Sequence, residues 1–345
     1  MGESARHRHR APARPVRRPL VVLALAVAIV ALAVAGTLFA VSERLGDDVI
    51  RVPDPFAALD PATRPAPTAA MTFLLVGTDS RSAEPTTGAD ATGQAFVPGA
   101  QRSDVVMLAQ VSADRRSASV VSLPRDSWVE IPGRGRAKVN AAYSWGGPTL
   151  LVATVERLTG VRVDHFAVVD FAGFRSVVDA IGGVDVGVAA PTSSAGIAFQ
   201  AGVNHLDGEA ALVYVRQRHE LAGGDPARAA RQQNVLRAVL GKVVGVDVLT
   251  RFAFLAALTR SVSVDETLTN AGLRFMAFDV RPQQVVFLTA PVRGGGTEGG
   301  QSVALLDDTR GATLWAALRD GTSTTYAQHH PDAVLGPTPA GEEHR

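Results

Sequence analysis

Five stretches of the chain are apolar almost without interruption and rich in β-branched residues: 71–78 (MTFLLVGT), 104–111 (DVVMLAQV), 118–123 (ASVVSL), 163–169 (VDHFAVV) and 284–289 (QVVFLT). Runs this short have the length of strands, and a strand without a polar face has to be covered on both sides. Around them lie stretches of helical character at about 148–159, 172–182, 207–215, 227–246, 248–260 and 266–278. Strands alternating with helices predict an α/β fold, a layered α-β-α domain with a central mixed sheet. In such sheets ligands collect beyond the carboxyl ends of the strands, so the residues that follow each run are where chemistry is expected.

A different apolar run sets the topology. Leu20–Val41 is 22 residues long, carries no charge, and is long enough at about 1.5 Å per residue to cross a hydrocarbon core of about 30 Å. It is also longer than the core of a cleaved signal peptide, about 7–15 residues. Arg6, Arg8, Arg10, Arg14, Arg17 and Arg18 precede it against one acid, Glu3, while Glu43, Asp47 and Asp48 follow it. The positive-inside rule then predicts a single-pass cell-membrane protein: residues 1–19 a cytoplasmic basic tail, 20–41 a transmembrane helix, and the rest outside the cytoplasm. Residues 42–70 contain Pro53, Pro55, Pro61, Pro65 and Pro67 and are expected to be a stiff linker. Residues 71–322 are the expected extracytoplasmic domain, and 323–345, ending PDAVLGPTPAGEEHR, an expected disordered tail.

Outside the N-terminal tail, 28 basic residues meet 32 acidic ones, so the folded domain has no basic surplus of the kind that binds nucleic acid. The absence of cysteine removes disulfides and thiol chemistry. Gly294, Gly296 and Gly299 satisfy a G-x-G-x-x-G pattern but lead into no helical stretch, so they are expected to be a glycine-rich connection.

The strand ends are unusually rich in arginine and aspartate. Gly77-Thr78-Asp79-Ser80-Arg81 follows the first run, and after a flexible segment Arg102-Ser103-Asp104 enters the second. Pro124-Arg125-Asp126 ends the third. Arg216-Gln217-Arg218 precedes a loop, after which a helix opens with Asp225-Pro226-Ala227-Arg228-Ala229-Ala230-Arg231-Gln232. Arg228, Arg231 and Gln232 share one face of that helix. Guanidinium forks match phosphate oxygens, a helix start adds unpaired N–H groups, and carboxylates hold Mg²⁺ against phosphates. Taken singly, each such residue is more often a solvated charge or a turn; jointly they suit a pyrophosphate.

GTDSR, RSDVVML, SLPRDS, KVNAAYSWGG (138–147), VDFAGFRSVVDAIGGVDV (169–186), LDGEAALVYVRQR (206–218) and ARAARQQ (227–233) occur in this order. In these blocks the chain resembles the LytR-CpsA-Psr family over about 71–245, and more loosely to about 320. The resemblance implies a membrane-anchored phosphotransferase that moves a glycopolymer from a polyprenyl-pyrophosphate carrier to peptidoglycan. The link formed would be a phosphodiester, on the 6-hydroxyl of N-acetylmuramic acid, with Mg²⁺ (or Mn²⁺) as cofactor. It further implies Asp79 and Asp104 as metal ligands and Arg102, Arg125, Arg216, Arg218, Arg228 and Gln232 as pyrophosphate ligands. Arg81, Asp126 and Arg231 match supporting positions.

Asp225 aligns with the family's acidic position before the arginine-bearing helix and is the candidate base for the attacking hydroxyl. Asp followed by Pro is equally an ordinary helix start. Members commonly have Gly-Asp-Phe-Gly-Arg where this chain has Gly224-Asp225-Pro226-Ala227-Arg228, so the loop differs. Two alternatives remain at this level, a non-catalytic module that binds or senses the lipid pyrophosphate and a lipid pyrophosphatase. Anion capture alone needs only the arginines, so the intact carboxylates favour catalysis. Phe171, Phe174, Val177, Val178, Leu236 and Leu240 either line a slot for the polyprenyl chain or belong to the core.

Overall fold

The computed structural model describes residues 43–44, 46–80, 86–88, 91, 96–217, 224–245, 248–278, 280 and 282–336. The chain divides into a short unit, Met1–Arg44, and the unit Leu45–Arg345, which holds every element below. Its strands are β1 (Ile50–Val52), β2 (Met71–Ser80), β3 (Gln101–Val111), β4 (Ser117–Ser122), β5 (Trp128–Ile131), β6 (Gly135–Lys138), β7 (His165–Asp170), β8 (Val184–Val188), β9 (Thr192–Ser194), β10 (Ile197–Phe199), β11 (Gly202–Leu206), β12 (Val262–Asp265), β13 (Gln284–Thr289), β14 (Val292–Glu298) and β15 (Gln301–Leu306). Its helices are α1 (Val139–Thr159), α2 (Phe171–Ala180), α3 (Gly208–Arg216), α4 (Gly224–Gly245), α5 (Val248–Ser261), α6 (Asn270–Phe278), α7 (Asp308–Arg319) and α8 (Ser323–His329). Asp170, Asp207 and Asp307 cap α2, α3 and α7, each carboxylate accepting from the N–H three residues on.

Seven strands form one sheet in the order β1-β12-β7-β2-β3-β4-β13. It is mixed, as expected: β1–β12, β2–β7 and β4–β13 are parallel, and the other neighbours antiparallel. Side chains alternate across it. Leu74, Val76, Val106, Leu108, Val121, Phe166, Val168 and Leu288 meet Leu151 and Val155 of α1 and Leu314 and Trp315 of α7. On the other face Phe73, Leu75 and Ala167 meet Leu273 and Met276 of α6, and Met107, Val120 and Phe287 meet Leu236 of α4. Both faces are covered, which is why the five runs show no polar alternation. A satellite core joins α2, α3 and α4 to the β8/β11 ribbon through Val178, Val184, Val186, Tyr214 and Val235.

Three expectations are corrected. Residues 42–70 are not a spacer throughout: Ile50–Val52 is an edge strand of the sheet. Further on, Arg64 grips Glu156 of α1, with Nη2 at 2.7 Å from Oε1 and Nε at 3.1 Å from Oε2. The prolines do not prevent this, because none lies within the three paired residues of β1, where a missing N–H would matter. The tail expected from 323 begins too early. Helix α8 buries Tyr326 and Ala327 in the main core, and the Leu335 N–H donates to Phe287 O at 2.8 Å. The helix expected from 148 is the second segment of α1; ahead of the non-helical Gly146 and Gly147 (φ 63°) stands a first segment, from Val139, that was not expected. Among the described residues no helix is long and apolar enough to cross a membrane. The basic tail at 1–19 and the anchor expected at 20–41 lie outside them.

Candidate active site

Strands β2, β4, β7 and β13 run the same way, so their carboxyl ends and the amino end of the antiparallel β3 share one edge of the sheet. There Asp79 stands opposite Arg102, and Thr78 opposite Ser103 on one side and Asp170 on the other. Gly77 pairs with Val105 and Thr78 with Ser103, which leaves Asp104 with no opposite residue. It is the extra residue of a β-bulge, a feature that re-aims a side chain at the end of a ladder. Asp104 meets the Arg125 guanidinium in an ion pair. Arg125 Nε lies 3.4 Å from Asp126 Oδ2, and Lys138 Nζ lies 2.9 Å from Asp126 Oδ1. Acid and base therefore alternate along Asp104, Arg125, Asp126 and Lys138, all 15–21% exposed.

The backbone under this row is locked. Asn140 N–H donates to Arg125 O at 3.2 Å, Val139 N–H to Ser127 O at 2.9 Å and Ala304 N–H to Asp126 O at 2.9 Å, so the start of α1 and strand β15 hold the turn in place. Beside it the buried hydroxyls of Thr78, Ser103 and Ser127 find no hydrogen-bond partner among the described residues. Buried polar groups are rarely left so, and their concentration at one edge marks it as a place built for something further.

Helix α4 brings the second group of residues. Leu236 packs on the body of the sheet, whereas Gln233, fully buried, donates to Ser122 Oγ at 2.8 Å and also bonds Leu288 O near the strand ends. Gln232 is the neighbour of Gln233 in α4, and Arg228 lies about one turn nearer the helix start. Arg231 points elsewhere. It is buried, donates to Gln217 O at 3.3 Å and lies over the Tyr214 ring, fastening α4 to the end of α3. Burial lowers its pKa from the ordinary guanidinium value. Arg216 is exposed, 4.4 Å above the Phe171 ring at the start of α2.

Not every expected residue can be placed. Arg81 and Arg218 lie outside the described residues, and for Asp225 the backbone alone is described, as the second residue of α4. The six candidate slot residues do not form one surface: Val177, Val178 and Phe174 belong to the satellite core, and Leu236 to the sheet cluster. The segment between β2 and β3, expected to be flexible, is pinned at Thr86–Gly88. Asp170 accepts from Thr86 Oγ1 at 3.1 Å, and Thr87 Oγ1 donates to Ser261 O at 2.9 Å. Gly88 (φ 74°) fits there because a Cβ would stand 1.9 Å from Arg260 O.

Sequence reasoning missed Lys138 and Gln233. Lys138 had a signal: it is one of only two lysines in a chain that otherwise uses arginine. Gln233 had none, since a glutamine on an amphipathic helix is usually solvated.

The LytR_cpsA_psr family model matches residues 49–320. The "Probable cell wall biosynthesis protein LcpB" of Corynebacterium glutamicum is 34% identical over 265 residues, 75% of this chain and 63% of that protein. The polyisoprenyl-teichoic acid–peptidoglycan teichoic acid transferase TagU of Enterococcus faecalis is 34% identical over 182 residues, 52% of this chain and 59% of that protein. The chain therefore spans about three fifths of the length of these curated relatives, 63% and 59%. Among solved structures, protein gbs0355 from Streptococcus agalactiae matches with a TM-score of 0.64 at 22% identity, over 73% of this chain and 88% of that one. TagT bound to LIIa-WTA matches with a TM-score of 0.58 at 25% identity, over 76% and 92%. A family match that begins one residue before β1 and ends after α7 takes in the whole central sheet and its charged edge, and the chain belongs to the LytR_cpsA_psr family.

Proposed function

We propose that this protein is a phosphotransferase that moves a glycopolymer from a polyprenyl-pyrophosphate carrier to peptidoglycan, at the outer face of the cell membrane. The observation that carries this is the row Asp104, Arg125, Asp126 and Lys138 on a locked turn, opened by a bulge, with Asp79 and Arg102 paired on the adjoining strand ends. The names of the relatives, a teichoic acid transferase acting on peptidoglycan and a cell wall biosynthesis protein, support it.

Phosphoryl transfer depends on positioning and on neutralising charge more than on covalent help. Arg102, Arg125, Arg216, Arg218, Arg228 and Gln232 grip the pyrophosphate. The acceptor 6-hydroxyl attacks the sugar-side phosphorus; the new O–P bond forms, the bond to the bridging oxygen breaks, and polyprenyl phosphate leaves. The carrier thus brings its own leaving group, and no nucleotide is needed outside the cytoplasm. Asp225 takes the hydroxyl proton. Arg125, held by Asp104 in the free protein, exchanges that carboxylate for a phosphate oxygen when substrate arrives.

Asp79 and Asp104 fit Mg²⁺ or Mn²⁺, which uses one or two carboxylates and completes its shell with water and substrate phosphates. Among the described residues no group of three or more carboxylate, histidine or cysteine ligands offers a complete cage. When bound there, the ion supplies positive charge to the phosphate oxygens.

The test is to incubate the full chain with a synthetic lipid-pyrophosphate glycan, Mg²⁺ and peptidoglycan oligomers and to look by mass spectrometry for a phosphodiester-linked product. Release of polyprenyl phosphate without that product would make the protein a pyrophosphatase. Unaltered but bound lipid would make it a binding module.

A further inference from the structure

Resting on the transfer reaction proposed above, we infer that Trp145 and Arg134 form the subsite that holds the acceptor saccharide, a pyranose strand carrying carboxylate groups. Trp145 is 43% exposed, while the other two tryptophans are half-buried or buried. It lines a cleft of about 420 Å³ together with Pro98, Gly99, Arg134 and Ser144. That volume is in the range of sites for small molecules, about 300–1,000 Å³.

The backbone on either side of the cleft is tied together. Gly99 N–H donates to Ser144 O at 2.9 Å, and Phe96 meets the Tyr143 ring edge-on at 5.5 Å. Directly after Trp145 the helix breaks at Gly146 (φ −146°) and Gly147 (φ 63°), where a Cβ would stand 2.9 Å from the Phe96 ring. The break ends the first segment of α1 at the tryptophan and packs the 96–100 segment against its base. An exposed indole presents a negatively charged π face, and the C–H groups on one side of a pyranose carry partial positive charge. Arg134 sits at the tip of the β5–β6 hairpin between Gly133 (φ 69°) and Gly135 (φ 77°), with no ion-pair partner among the described residues. A guanidinium there complements a carboxylate, which the lactyl ether of N-acetylmuramic acid supplies either itself or through its attached peptide.

The cleft is placed for the reaction. Pro98 and Gly99 lead within four residues to Arg102, and Asn140, five residues before Trp145 and about 7.5 Å along the helix, bonds Arg125 O. Helices α1 and α4 cover opposite faces of the sheet. The acceptor therefore comes from the α1 side and the carrier's pyrophosphate from the α4 side, as an in-line displacement requires.

The experiment titrates the full chain in detergent micelles, by calorimetry, with a tetrasaccharide of alternating N-acetylglucosamine and N-acetylmuramic acid, and with chitotetraose as the comparator lacking carboxylates. Wild type should bind both and prefer the first. Trp145→Ala should weaken binding of both at least tenfold, Trp145→Phe should keep most of it, and Arg134→Ala should abolish the preference. In turnover, Trp145→Ala should raise KM for the acceptor and leave both the melting temperature and binding of the lipid-pyrophosphate glycan at wild-type values. Wild-type affinity for both saccharides in Trp145→Ala would overturn the assignment. So would loss of the donor lipid in that variant, which would give the cleft to the donor glycan. A wild type that binds the saccharides but forms no phosphodiester product would refute the transfer reaction and leave the subsite intact, so the two failures are distinct.

Discussion

Two ion-pair networks sit in this molecule, and they differ in whether they are closed. In the first, Glu156 is 4% exposed and both of its oxygens are taken, by Arg64 Nη2 at 2.7 Å and Nε at 3.1 Å and by the Val163 N–H at 2.9 Å. Arg64 spends its remaining capacity on Val163 O and the Phe56 ring. The pair ties the segment before β2 to α1. The second network runs through Asp104, Arg125, Asp126 and Lys138, is more exposed, and borders three buried hydroxyls that have no partner among the described residues. A closed buried pair loses much on disruption because the stranded charge stays buried, whereas an open row can trade one counter-ion for another. Charge content does not separate scaffold from site here; the depth at which each network is buried does.

The sharpest way to break that contrast is catalytic. Asp225→Asn should lose on the order of 10²–10⁴-fold in transfer rate, the usual contribution of a general base, yet melt close to the wild type, since Asn keeps the shape and one accepting oxygen of Asp in the first turn of α4. Wild-type turnover by Asp225→Asn beside a destabilised Asp225→Ala would make Asp225 a residue of the helix start and nothing more. Asp104→Ala should likewise remove Mg²⁺-dependent turnover while the fold persists; full activity across a magnesium titration would strip Asp104 of its role.

The closed pair should respond in the opposite sense. Arg64→Ala should cost about 3–5 kcal/mol in chemical denaturation, the scale for stranding a buried charge, with transfer per folded molecule unchanged. A stable but inactive variant would erase the distinction between the two networks. A smaller effect is expected from Arg228→Ala, about 1.5–3 kcal/mol in binding of the lipid substrate, with Arg228→Lys restoring charge but not the fork. Equal affinity in Arg228→Ala and wild type would take that residue off the pyrophosphate.

The last test sharpens the structural side and is the smallest. Asp265 is fully buried, and burial alone would raise its pKa. Hydrogen bonds from His165, Thr267 and the Phe166 N–H outweigh that and hold it below the usual carboxylate value. A group whose folded pKa is depressed stabilises the protein above its unfolded pKa and ceases to do so as pH falls through the folded value. Acid denaturation of Asp265→Asn should therefore be less steep than that of wild type below the unfolded carboxylate pKa. Identical acid profiles would show that Asp265 does not contribute to it.

Five of the seven strands, the mixed α/β architecture and the block of charged residues were legible in the linear chain, because strands buried on both faces must be apolar throughout and functional charges follow them directly. Ile50–Val52 and Val262–Asp265 were not: runs of three and four residues carry too little pattern, and only pairing along the sheet edge makes them strands. Arg231 shows the same limit among the site residues. Its spacing groups it with Arg228 and Gln232, but a helix face does not say what lies against it, and the Gln217 carbonyl and the Tyr214 ring claim it for the scaffold. Sequence by itself determined the composition of the site, since residue type and order are local properties. The tertiary structure alone decided which charges are stranded, paired or open, because a bulge at Asp104, a turn locked under Arg125 and the seat of Gln233 against Ser122 depend on contacts between residues far apart in the chain.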